Sequence, residues 1–182
     1  MIECGPVTLR PIESRDMEQL RSLINNPGIA QSVVDFGFPV SSEQQQEWFQ
    51  YVQPNESAER FMIEAKGDTV GSLVVAKIDE DNSTCEVGYK VERAYQGHGY
   101  AARAVCAVLP HLFLEKGMEC VVACHLPNNL ASKRVLEKAG FTFEGIVRRA
   151  VYRNGSRMDL WYWSITRTQF SGKAGVADAA EK

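Results

Sequence analysis

The chain has 182 residues, 45% hydrophobic and 24% charged, with a formal net charge of −3. That balance excludes wholesale disorder and fits one domain with a sizeable core, while the acidic sum offers no basic footprint for nucleic acid. No apolar run approaches the roughly 20 residues that cross a bilayer, and residues 1–12 have neither the basic nor the apolar region of a secretory signal, so the reading is a cytoplasmic protein with neither nucleic acid nor membrane as partner.

In chain order, Val7–Ile12 alternates as a first strand. Ser14 is placed to cap a helix in which Met17, Leu20, Leu23 and Ile24 keep helical spacing until Asn26-Pro27 ends it. Residues 28–40 are irregular yet apolar (Val33, Val34, Phe36, Phe38), as in a loop that packs under something or lines a pocket. Ser41-x-x-Gln44 has capping-box spacing, and Trp48, Phe49 and Val52 give the next helix one apolar face. After the break at Pro54-Asn55-Glu56, Arg60–Ala65 and Thr69–Lys77 read as antiparallel strands around the turn Lys66-Gly67-Asp68. A second turn, Asp79–Ser83, leads into a strand with Val87, Tyr89 and Val91 opposite Glu86, Gly88 and Lys90.

That strand runs through Tyr95-Gln96-Gly97-His98-Gly99-Tyr100 into the clearest helix of the chain, where Ala101, Ala104, Val105, Val108, Leu109, Leu112 and Phe113 follow three-and-four spacing. Pro110 should kink that helix or end its regular part, and Gly117 closes it. Val121–Leu126 reads as a short buried strand. A helix over 129–139 follows, with Gly140 as its left-handed cap. Phe141–Val151 and Met158–Ile165 form a closing hairpin around Asn154-Gly155. The fold class is therefore α+β (mixed α/β): one domain over 1–170, with 171–182 as a disordered tail of Gly, Ala and charge.

The five cysteines (Cys4, Cys85, Cys106, Cys120, Cys124) are odd in number and scattered, which favours reduced thiols, with Cys120 and Cys124 as buried small hydrophobes on one strand face. No His or Cys group has zinc spacing, so no metal is expected.

A strand, a Gly-bearing turn and a helix N-terminus in this order present several backbone N–H groups to one anion. The turn over Gln96–Ala101 reads either as a pyrophosphate site or as a plain connector. Its spacing matches neither GxGxxG nor GxxxxGK[ST]. A second opening follows about 30 residues later, Asn129-x-x-Ser132, which by itself is simply a capped helix.

Together these stretches resemble the GNAT superfamily of acetyl-CoA-dependent N-acetyltransferases, and most of all its ribosomal-protein serine/alanine branch. The resemblance is carried by VTLRPI (7–12), EVGY (86–89), YQGHGYA (95–101), NLAS (129–132), VLEKAGF (135–141) and RMDL (157–160). It implies a central, mostly antiparallel twisted sheet flanked by about four helices. It further implies that Gln96, Gly97, His98, Gly99, Tyr100 and Ala101 hold the coenzyme A pyrophosphate. The preceding strand should splay from its neighbour, so that Val87, Gly88 and Tyr89 meet the pantetheine and the acetyl carbonyl, with Asn129 and Ser132 facing the thiol end. Arg103, Lys133 and Arg134 read as phosphate partners or as solvated surface cations.

Direct acyl transfer needs a neutral amine and hence a base, since lysine-like amines titrate near about 10.4 and α-amines near about 8. Glu86 is the first candidate and Asp159 the second, each also readable as a structural carboxylate. Many relatives protonate the leaving thiolate from a tyrosine that corresponds here to Leu136, which leaves Ser132 or a water. His98 occupies a variable slot that points to solvent, and His111 and His125 read as packing or surface residues. The resemblance assigns the acceptor side to Asp35, Phe36, Phe38, Trp48 and the hairpin around Asp159. A protein N-terminus, a polyamine, an amino sugar or an antibiotic would all fit, and a monomer or homodimer is expected. A non-catalytic acyl-CoA sensor is the reading of another class.

Overall fold

A computed structural model describes residues 1–34, 39–52, 57–153 and 155–170. Eight strands form one sheet: β1 (Ile2–Cys4), β2 (Val7–Pro11), β3 (Glu59–Ala65), β4 (Asp68–Asp79), β5 (Thr84–Val91), β6 (Cys120–His125), β7 (Thr142–Arg153) and β8 (Ser156–Thr166). Their order is β1-β2-β3-β4-β5-β6-β8-β7, and every pair is antiparallel except β5–β6. The helices are α1 (Met17–Asn25), α2 (Pro27–Ala30), α3 (Ser42–Val52), α4 (Tyr100–Pro110) and α5 (Leu130–Lys138).

Each face of the sheet has its own apolar cover. Ile63, Leu73, Val75, Cys85, Val87 and Val91 pack with α4 and α5, burying Val105, Val108, Leu109 and Leu136. On the other face Met62 meets Met17, Leu20, Leu23 and Ile29 of α1 and α2, with Trp48 and Phe49 of α3 against them. Each fully buried aliphatic side chain contributes about 1.5–3 kcal/mol. Gly71 permits a close approach of β4 to β5, because a side chain there would run into the carbonyl oxygen of Lys90.

Polar groups lock the entry to α1. Arg10 on β2 forms a bidentate pair with Asp16 (2.7 Å for both bonds) and reaches Glu64 on β3 at 2.6 Å. Asp16 also accepts the Glu13 N–H at 2.8 Å. The cap expected from Ser14 is thus replaced: Ser14 lies within a single 3₁₀ turn, Ser14–Asp16, ahead of the helix. At α3 the expected reciprocal box is present, with Ser41 N–H donating to Gln44 Oε1 at 3.0 Å and Gln44 N–H to Ser41 Oγ at 3.2 Å.

Other expectations change in detail. The chain opens one strand earlier, because Gly5 (φ 58) turns Ile2–Cys4 back onto Val7–Leu9. Asn26-Pro27 ends α1 but starts α2, the Asn26 side chain accepting the Gly28 N–H at 2.9 Å. Pro110 ends the regular part of α4, and the next turn, His111–Glu115, is π-helical. β6 alternates instead of being buried throughout. Val121, Ala123 and His125 face the core, whereas Cys120 and Cys124 lie half-buried on the opposite face. The fully enclosed thiols are Cys4, Cys85 and Cys106. The segment 171–182 and Asn154 lie outside the described residues.

Candidate active site

β5 stays paired with β4 as far as Gly71↔Val91, yet it pairs with β6 only at Thr84↔Cys120, Cys85↔Val121 and Glu86↔Val122. β6 meanwhile follows β8 as far as His125↔Trp161. The two parallel strands therefore part after Glu86, and the β5 edge from Val87 to Tyr89 opens on a gap. Free strand edges can hydrogen-bond an amide-bearing chain laid between them.

The Gly turn stands at the head of that gap. Gly97 (φ 83) and Gly99 (φ 76) are both left-handed, and no atom lies within 4 Å of a side chain built at either. The first helical bond of α4 is Arg103 N–H to Gly99 O at 3.1 Å. Among the described residues the backbone N–H groups of 97–102 have no intramolecular partner, and Gly99 supplies no side-chain cap. Open donors on the positive end of a helix dipole form an anion cradle. The side chains of the turn brace it. Gln96 Nε2 donates to Val91 O at 3.0 Å, and the exposed His98 ring stacks on Tyr100 at 5.6 Å. His98 Nδ1 sits 3.1 Å from Gln96 O, so that nitrogen carries the hydrogen.

On the far side of the gap, Asn129 caps α5 by accepting the Ser132 N–H at 3.0 Å, while its Nδ2 donates to Ser32 O at 2.8 Å. Both ends of that amide are engaged within the protein, which ties α5 to the segment after α2. Ser132 Oγ lies 2.8 Å from the Tyr89 hydroxyl. Tyr89 continues the inward face of Cys85 and Val87, and burial pushes its phenol well above the usual range. Leu136 is fully buried in the core.

Glu86 occupies the last rung before the strands part, on the face opposite α4. Its Oε2 takes a 2.8 Å ion pair from Lys77, and Oε1 lies 3.7 Å from Cys124 Sγ. Lys77 reaches it because the β4 bulge sets Lys77 left-handed (φ 50), and the pair raises the Lys77 ammonium. Nothing in local sequence pattern marks Lys77 as a partner of Glu86.

Of the acceptor residues, Asp35, Phe36 and Phe38 lie outside the described residues. Trp48 is half-buried, with the Arg60 guanidinium 5.8 Å over its ring. Asp159 Oδ1 accepts the Arg149 N–H at 2.8 Å, so its carboxylate holds a bulge in the final hairpin. Arg103 is directed toward Gly5, at the β1–β2 turn, and Lys133 pairs with Glu137 at 3.6 Å. A cavity of about 220 Å³ lined by Glu59, Cys85, Leu112, Lys116 and Met118 lies beneath the start of β5, away from the gap. Among the described residues no group of three or more His, Cys, Asp or Glu is arranged to hold a metal ion.

A sheet split between two parallel strands, with an open N–H cradle at its head, is the frame of an acyl-coenzyme A transferase. Residues 7–142 match the acetyltransferase (GNAT) domain family. The chain belongs to that family; it is an N-acetyltransferase, and acetyl-CoA is its acetyl donor. Over 173 residues it is 27% identical to the putative ribosomal N-acetyltransferase YdaF of Bacillus subtilis, covering 92% of this chain and 94% of that one. Its fold is similar to that of a Vibrio cholerae spermidine N-acetyltransferase solved with CoA and spermine (TM-score 0.84, 20% identity, 91% and 98% of the two chains). It is also similar to that of RimL, the ribosomal L7/L12 α-N-protein acetyltransferase, in complex with coenzyme A (TM-score 0.81, 22% identity, 88% and 94%).

Proposed function

We propose that this chain acetylates the primary amine of a protein N-terminus, by direct attack on acetyl-CoA in a ternary complex, within a single catalytic domain that acts in the cytoplasm. The observation that carries the reading is the parting of β5 from β6 directly below the unbonded N–H groups of 97–102. The overall similarity to YdaF, along nearly the whole of both chains, supports a protein acceptor.

In this reading the amides of Gly97–Ala101 bind the pyrophosphate, the Gln96 N–H being already donated to Arg93 O at 3.3 Å, and the β5 edge at Val87–Tyr89 aligns the pantetheine arm and the acetyl carbonyl. An α-amine titrating near about 8 is largely protonated at neutral pH, so it must first lose a proton. Glu86, directly or through a water, accepts that proton as Lys77 yields its place beside the carboxylate. Glu86 passes that proton to solvent; the amine nitrogen then forms the amide bond, the carbon–sulfur bond breaks, the nitrogen gives its second proton to Glu86, and a β5 N–H meets the charge on the carbonyl oxygen. The Ser132 hydroxyl hydrogen-bonds the departing thiolate and relays a solvent proton to it.

A small polyamine acceptor is the second reading, favoured by the fold similarity to the spermidine enzyme. Acetyl transfer to a panel of N-terminal peptides, spermidine and amino sugars, read by mass spectrometry, separates the two. The expected result is acetylation of peptide α-amines, with Glu86→Gln lowering kcat by about 10²–10⁴. Acetylation confined to spermidine would overturn the protein-acceptor reading.

A further inference from the structure

Glu86 bridges the apex of the gap. It is paired with Val122 at the last rung that β5 and β6 share, yet its Oε1 lies 3.7 Å from the Sγ of Cys124, two residues beyond that rung on β6. Tyr162 of β8, the cross-strand partner of Cys124, completes the group: burial, Cys124 and Glu86 push its phenol up, and Lys77 opposes them. Of these four side chains, from β4, β5, β6 and β8, Lys77 is the cation, and it holds the other carboxylate oxygen, Oε2, at 2.8 Å.

Stability does not account for that contact. The Lys77 side chain is 72% exposed, and exposed ion pairs contribute little. To make it, β4 leaves the regular ladder between Ala76 and Asp79 and sets Lys77 at φ 50, a region where a residue with a β-carbon is strained. Ala76, directly opposite Glu86, carries no polar group, so the ammonium comes from the bulge. A strained residue that brings a solvent-facing cation to a candidate base points to a role in the reaction.

We propose that the Lys77 ammonium is an internal substitute for the acceptor: it fills the ammonium subsite of Glu86 in the free enzyme, and an incoming amine displaces it to one side. The inference rests on the amine-transfer reading above and names how its acceptor subsite is regulated. An amine whose proton Glu86 takes must stand about 2.6–3.2 Å from the carboxylate, and that is where the Lys77 nitrogen lies. With Oε1 turned toward Cys124, Oε2 is the oxygen an amine can reach, and Lys77 holds it. Its long flexible stem, largely in solvent, lets it swing aside. Beside the bound acceptor it is then a like charge, which lowers the acceptor's pKa and enlarges the neutral, nucleophilic fraction at pH 7. Lys77 itself keeps its proton, because the hydrogen bond to Glu86 raises its ammonium, so it occupies the subsite without reacting.

The test reads binding and turnover separately. An alanine-rich peptide with a free α-amine and a C-terminal dye is titrated by anisotropy against enzyme loaded with CoA, which carries no acetyl group to transfer. The same peptide acetylated at its α-amine is the blank. Lys77→Met should bind the free amine about fivefold more tightly than the unaltered protein. Lys77→Arg should bind it equally, and Glu86→Gln should lose the difference between amine and blank. With acetyl-CoA, Lys77→Met should lower the KM for the amine and lower kcat at pH 7 by about tenfold, a loss that recovers toward alkaline pH; Lys77→Arg should keep the original profile. Lys66→Met, at another left-handed lysine (φ 55), should change neither. An acetyl-CoA thermal shift establishes that each variant is folded. Equal affinity of the unaltered protein and Lys77→Met, or a kcat loss that ignores pH, would overturn the proposal. An acetyl group found on Lys77 after incubation with acetyl-CoA alone would overturn it too, by making Lys77 a substrate. Tighter amine binding by Lys77→Met without acetylation in any protein would sink the amine-transfer reading and leave the exchange at Glu86 standing. Acetylation with one and the same KM in both proteins would do the reverse.

Discussion

The hydroxyls of Tyr89 and Ser132 meet at 2.8 Å although 43 residues separate them in the chain. Burial raises the Tyr89 phenol, which keeps its proton at neutral pH and can donate to Ser132 Oγ, freeing the serine hydrogen for the gap. In the proposed reading Tyr89 positions Ser132. Ser132→Ala should lower kcat by about tenfold to a hundredfold, and Tyr89→Phe by less, with little change in the KM for acetyl-CoA. Because the two act as a unit, the double variant should be no slower than Ser132→Ala. Additive losses in such a cycle would separate them.

Gly99 is left-handed and opens onto empty space, so alanine there meets backbone strain of about 1–2 kcal/mol and no clash. Relief of that strain turns the cradle's N–H groups aside. Gly99→Ala should raise the KM for acetyl-CoA about tenfold. Gly117→Ala, equally left-handed (φ 74) and equally open, should cost similar stability and leave that KM unchanged. Equal effects on KM would deny the cradle a specific role.

Asp16→Ala leaves Arg10, 7% exposed, without its bidentate partner. An unpaired buried charge would cost about 3–5 kcal/mol; because Glu64 still pairs with Arg10 at 2.6 Å, the loss should fall below that range, to be measured as a shift in urea midpoint. Burial opposes ionisation of Asp16, but the Arg10 hydrogen bonds and the Glu13 N–H together hold its carboxyl below the usual value. Its contribution is therefore present above an unfolded value of about 3.9 and lost as pH falls through the folded value.

His125, 1% exposed, donates from Nδ1 to Leu126 O at 2.7 Å, and its Nε2 is buried without a partner. Burial lowers its pKa, with the Lys133 charge adding to the effect. A lowered folded value means that protonation favours the unfolded chain. Stability contributed by neutral His125 should thus be present above about 6.5 and fall as pH drops below it. His125→Gln should flatten the melting temperature between pH 7 and 5, above the range where Asp16 acts. An unchanged slope would assign the effect elsewhere.

What was legible in the sequence was local. The Gly97 and Gly99 positions, the Ser41/Gln44 box, the Lys66-Gly67 turn (φ 55 and 90) and the Gly140 cap (φ 85) each depend on a few neighbouring residues. The strand alternation at Val87 and Val91 likewise predicted which face is buried. The features that escaped depend on contacts across the fold. Lys77 reaches Glu86 only through a bulge, Tyr89 finds Ser132 only once α5 is docked, and Asp16 displaces Ser14 as the polar lock because Arg10 comes from another strand. The Asn129 cap follows from its spacing to Ser132, but its tether to Ser32, 97 residues away, has no local signature.

The most direct test of the site is amide hydrogen exchange with and without acetyl-CoA. The cosubstrate should slow exchange at 97–102 and along Val87–Tyr89, and leave the cavity beneath Cys85 and Met118 unchanged. Protection around that cavity, with none at 97–102, would contradict that assignment.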